Sequence, residues 1–119
     1  MALLVRTTNS SRLLERIHEL VSEGRIAWEW ADGRLTLRDE QWNCAAGFAI
    51  KVMDSAILFS IVPPEEDLVG QRTYALFHAR LLDDLVTECS ARMETIHVTA
   101  RPAGIDKIDG RETANSVSA

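Results

Sequence analysis

The hydrophobic period of this chain switches three times, from 3.6 to 2, back to 3.6 and again to 2. That succession constrains the fold more than any other feature. Leu13, Leu14, Ile17, Leu20 and Val21 recur at helical spacing, with Arg12, Glu15, Arg16, Glu19 and Glu23 mostly on the other side. Thr7 to Ser11 offer several N-cap side chains, and Gly24 offers a left-handed C-terminal position. The pattern predicts an amphipathic helix over 10–23, braced by the i,i+3 pairs Arg12–Glu15 and Arg16–Glu19.

Alternation takes over next. Ile26, Trp28 and Trp30 alternate with Arg25, Ala27 and Glu29, and Leu35 and Leu37 alternate with Arg34, Thr36 and Arg38. Ala31-Asp32-Gly33 lies between these runs, and Asp-Gly in that place is a strong hairpin signal. Strands over 25–30 and 34–38 follow. A second hairpin covers 47–53 and 56–62, turning at Asp54-Ser55. Its second strand is apolar on both faces, as in a strand that is central or covered on both sides. Pro63-Pro64 ends it.

From Arg72 to Ala91 the period is helical again, with Tyr74, Phe77, Leu81, Leu85 and Cys89 in one stripe, broadened by Leu82 and Val86. Arg80–Asp84 is an i,i+4 pair away from that stripe. Thr95 to Ala100 alternates, and Arg101-Pro102 breaks the pattern. The order is α-β-β-β-β-α-β. It predicts an α+β domain over 1–100, with a single antiparallel sheet of four to five strands and two amphipathic helices packed on one face. Residues 101–119, poor in large apolar groups, read as a flexible C-terminal tail.

Charge narrows the function classes. The 119 residues carry 13 Lys and Arg against 18 Asp and Glu, a net charge of −5. That argues against nucleic acid bound by a basic patch. Residues 26–69 hold three basic and eight acidic side chains and so account for the imbalance. The longest apolar-rich run, 45–62, is interrupted by Lys51 and Asp54, and a bilayer needs about 18 to 20 consecutive apolar residues. The opening run, Met1 to Arg6, is too short for a signal peptide core. The expected setting is cytoplasmic, with no membrane partner.

Few residues suggest catalysis. The six glycines never cluster into a phosphate loop. Cys44 and Cys89 each sit in apolar surroundings and read as free buried thiols, and no metal-type Cys/His spacing occurs. His18 and His78 border helical stripes, whereas His97 lies on the polar side of the last strand. The carboxylates of Glu65, Glu66 and Asp67 suit the positive end of a helix dipole, and Asp83 and Asp84 suit a solvated helix face. No cofactor or metal is expected.

The tryptophans are more informative. Trp28 and Trp30 share one face of a short strand and Trp42 lies in the following connection. That face either forms core against the helices or presents an aromatic platform, since Trp is enriched at binding hot spots. Around it stand Glu29, Asp32, Asp39 and Glu40, and the acidic middle segment continues with Asp54, Glu65, Glu66 and Asp67. The leading expectation is a non-enzymatic, acidic protein-binding module that occludes or adapts a partner with a basic surface, Trp28, Trp30 or Trp42 serving as anchors. The small acidic α+β make-up looks like that of secretion chaperones, toxin-immunity proteins and phage-encoded inhibitors, although its element order departs from the usual chaperone order. The alternative expectation is a small-molecule site or enzyme pocket between the sheet and the second helix, lined by Tyr74, His97 and Thr99. A homodimer that covers its own open sheet face is a third.

Overall fold

The computed structural model describes residues 3–31, 33–38, 46–63 and 69–98. The elements are β1 (Leu3–Arg6), α1 (Ser10–Ser22), β2 (Trp28–Ala31), β3 (Arg34–Leu37), β4 (Gly47–Met53), β5 (Ala56–Val62), α2 (Gln71–Cys89) and β6 (Thr95–Val98). A 3-10 turn, Ser90–Arg92, joins the last two. All strands pair antiparallel in one sheet, in the order β2-β3-β4-β5-β1-β6. The fold is therefore α+β with one antiparallel sheet. Among the described residues it has six strands rather than four to five, and its order begins with a strand.

β1 is the missed element. Leu3 and Val5 are fully buried while Leu4 is half-buried, so Leu-Leu-Val shows no alternation to read. Four residues are also too few for a periodic signal. Yet β1 sits between β5 and β6, with Leu3 opposite Phe59 and Val98, and Val5 opposite Ile57 and Ile96. Thr7 extends this seam: its N–H donates to Ser55 O at 3.0 Å and its hydroxyl to Arg92 O at 2.6 Å.

Local chemistry explains the helix ends. Asn9 holds extended backbone, and its Oδ1 accepts the Arg12 N–H at 3.2 Å, so α1 starts at Ser10. At the other end Gly24 has φ 69°, the Gly24 N–H donates to Val21 O, and the Arg25 N–H donates to Leu20 O. This pair of bonds is the Schellman arrangement that a left-handed glycine permits. Closing the helix this way uses up Arg25, which is one reason β2 begins at Trp28 and not at 25. Gly33, at φ 76°, serves the β2–β3 turn.

Strand parity assigns the faces. Trp28, Trp30, Leu35, Leu37, Phe48, Phe59 and Ile61 point toward α1 and α2, as do Leu3 and Val5. From α1 come Leu13, Ile17, Leu20 and Val21, and from α2 come Tyr74, Phe77, Leu81, Leu85 and Cys89. Trp28 packs on Phe48 and Phe77 with ring centroids 5.7 and 5.8 Å apart, and Phe48 meets Phe59 edge-on at 6.2 Å. Both helices thus share one face of the sheet, as the stripes predicted. Burying each such ring contributes on the order of 2–3 kcal/mol. On the opposite face Thr36, Ser60 and Val62 are also buried, whereas Lys51, Met53, Arg6 and His97 are exposed.

Candidate functional site

The two tryptophans of β2 share a face but not an environment. Trp28 is wholly buried, and its indole N–H donates to Asp84 Oδ2 on α2 at 2.7 Å. It is a core residue and cannot act as a surface anchor. Asp84 serves as the acceptor of that bond instead of forming a close pair with Arg80. Its partial burial raises the carboxyl above the usual carboxylate range, and the Trp28 hydrogen bond opposes that shift.

Trp30 is different. It lies nearer the end of β2 and is half-buried, and its indole stacks on the imidazole of His18, with centroids 4.4 Å apart and planes 24° apart. His18 itself is exposed on α1. The Trp30 N–H is buried without a hydrogen-bond partner, which costs roughly 1–3 kcal/mol. β2 is an edge strand paired only with β3, so its outer backbone groups have no strand neighbour among the described residues. Glu29, between the two tryptophans, is half-buried on the far side of the sheet.

This edge is held in place from below. Arg38 donates from Nη2 to Val21 O and to Trp28 O, each at 3.1 Å, joining the last turn of α1 to β2. A guanidinium there also suits the negative end of the helix dipole. Arg25 reaches Glu88 on α2 at 3.4 Å. Sequence reading missed His18 and Arg38 as parts of this edge. The position of His18 at the border of the α1 stripe was the only available sign.

The structure disperses the other candidates. Asp54 is exposed in the β4–β5 turn. Asp32, Asp39, Glu40, Trp42, Glu65, Glu66, Asp67, Thr99 and Cys44, together with the segment 101–119, lie outside the described residues. Tyr74 is fully buried on the helix side of the sheet, whereas His97, opposite Leu4, is exposed on the other side. The sheet stands between them, so no single pocket holds both. Thr95 Oγ1 lies 3.3 Å from His97 Nε2. Cys89 is free and buried, and that burial raises its thiol, which keeps it protonated and a poor nucleophile at neutral pH. Among the described residues no three His, Cys, Asp or Glu side chains converge to hold a metal ion. No described helix is long and apolar enough to cross a membrane.

Among the described residues His78 is the most perturbed titratable group. It is buried on α2 between Tyr74, with centroids 4.6 Å apart, and Phe48, which it meets edge-on at 5.0 Å. Its Nδ1 lies 2.7 Å from Tyr74 O, so Nδ1 carries the proton and donates, while Nε2 is left as a bare acceptor with no partner. Burial lowers its pKa to about 4.

Comparison with known protein families, with curated proteins and with solved structures finds no match.

Proposed function

We propose that this chain is a non-enzymatic protein-binding module that engages a basic surface of a partner through the β2 edge, and so occludes that partner or adapts it to another. The observation that carries the reading is Trp30: a half-buried indole on a strand at the edge of the described sheet, stacked on an exposed histidine. A large apolar ring that is already ordered, beside backbone groups with no strand neighbour among the described residues, suits strand addition or an anchor contact. The acidic excess of residues 26–69 supplies the complementary charge, which acts mainly on the association rate.

Association with the protein that co-purifies from the native host tests the proposal. Trp30→Ala is expected to speed dissociation, while charge reversal at Glu29, Asp39 and Glu40 slows association and flattens its salt dependence. Unchanged rate constants in both variants would refute it.

A second reading, a small-molecule site between the sheet and α2, has the unpaired His78 Nε2 in its favour, beside Tyr74 rather than His97. A thermal-shift screen of metabolites distinguishes the two. A compound that stabilises the wild type strongly and His78→Leu not at all would favour the pocket.

A further inference from the structure

The sheet face away from the helices carries a second patch whose charge is opposite to that of the whole chain. Two rows cross four strands there. One runs Lys51, Leu58, Leu4, His97 over β4, β5, β1 and β6, and the next runs Met53, Ala56, Arg6, Thr95. Leu4 and Leu58 are half-buried side by side, Met53 is 37% exposed, and Lys51, Arg6 and His97 are exposed. No acidic residue occupies either row. Among the described residues Arg6 and Lys51 form no ion pair, in a chain whose net charge is −5. Glu94 and Asp54, the nearest acidic residues in sequence, lie outside both rows, the first just before β6 and the second in the β4–β5 turn.

We infer that this patch is a docking site for an amphipathic helix of a protein partner bearing acidic residues. It is a surface separate from the β2 edge and of opposite charge preference. Arg6 and Lys51 are two strands and two residues apart, about 12 Å between backbones, with Leu4 and Leu58 between them. In a helix, residues i and i+8 also lie about 12 Å apart on nearly one face, with i+4 midway. Carboxylates at the outer positions meet the two cations, and an apolar side chain at the middle position covers the leucines. A helix on this face completes a layered arrangement in which both sides of the sheet are shielded.

The test uses two synthetic amphipathic helical peptides with the same leucine face. One has glutamates at i and i+8 and the other has lysines there. Each is titrated into the full chain by fluorescence anisotropy. The glutamate peptide is expected to bind about tenfold more tightly, with the margin shrinking as salt rises. Arg6→Glu/Lys51→Glu, both at exposed positions and checked for folding by circular dichroism, is expected to reverse that preference. Equal binding of the two peptides, binding of neither, or a preference unmoved by the double variant would overturn the inference. So would a dimer in sedimentation that the double variant dissociates, since the occupant would then be a second copy. The β2 variants Trp30→Ala and Glu29→Lys should leave peptide binding unchanged, so failure here and failure of the β2 reading are separable.

Discussion

Replacing His78 by leucine should remove a pH dependence of stability that the wild type carries. In the fold the ring is 1% exposed, neutral, and donates from Nδ1 to Tyr74 O. Unfolded, it titrates near its ordinary value of 6.5; folded, near 4. Because the folded-state value is the lower one, the unfolded chain binds the proton first as pH falls, and acid favours unfolding. At pH 5 the unfolded imidazole is largely protonated and the folded one largely neutral, so the wild type has lost about 2 kcal/mol relative to pH 7.5 on this account alone. The loss approaches about 3 kcal/mol below pH 4. Asp84 acts in the opposite sense: its raised carboxyl takes up a proton in the fold first and returns some stability in that lower range. The interval from pH 7.5 to 5 is therefore the cleaner window. Urea denaturation at several pH values measures it. His78→Leu loses one hydrogen bond but also the unpaired Nε2, so near pH 7.5 the two proteins should be similar in stability. At pH 5 the variant should be the more stable by about 2 kcal/mol. Parallel stability curves would refute the reasoning, for then the ring titrates normally and is not a desolvated neutral imidazole.

Other outcomes follow from the same geometry. Trp28→Phe should cost about 2–4 kcal/mol, since it removes a bond to a charged acceptor and opens space in the core. Trp30→Phe, which deletes an unpaired N–H, should cost less than about 1 kcal/mol or stabilise; chemical denaturation of both compares them. Leu3→Ala should cost about 2–5 kcal/mol and Leu4→Ala far less, as the face assignment of β1 requires. In a Cys44→Ser background, Cys89 should react with a thiol reagent only at the rate of unfolding, and fast labelling at neutral pH would contradict its burial.

Much of the fold was legible where the signal was long. The α1 stripe, with a cap candidate at Asn9 and a stop at Gly24, yields a helix ending within a residue of the expected place. The α2 stripe from Tyr74 to Cys89 is equally clear, because sixteen residues of one period outweigh any local ambiguity. β1 was hidden because its partners are distant in sequence: Leu3 gains its burial from Phe59 and Val98, which no local pattern reveals. At the site, the shared face of Trp28 and Trp30 was readable, but not that one ring goes to the core and the other to the border. That division depends on Asp84 and His18, 56 residues from Trp28 and 12 from Trp30, each on a helix whose seat on the sheet is set by tertiary packing. The pocket joining Tyr74 and His97 failed because strand parity puts them on opposite faces.

The most direct test of the central claim is hydrogen exchange of the chain alone and in complex with its co-purified partner. The account predicts slowed exchange of the amides of Trp28–Ala31 on binding, together with a change in the environment of the Trp30 indole N–H. Protection elsewhere, with those four amides and that N–H unchanged, would contradict it.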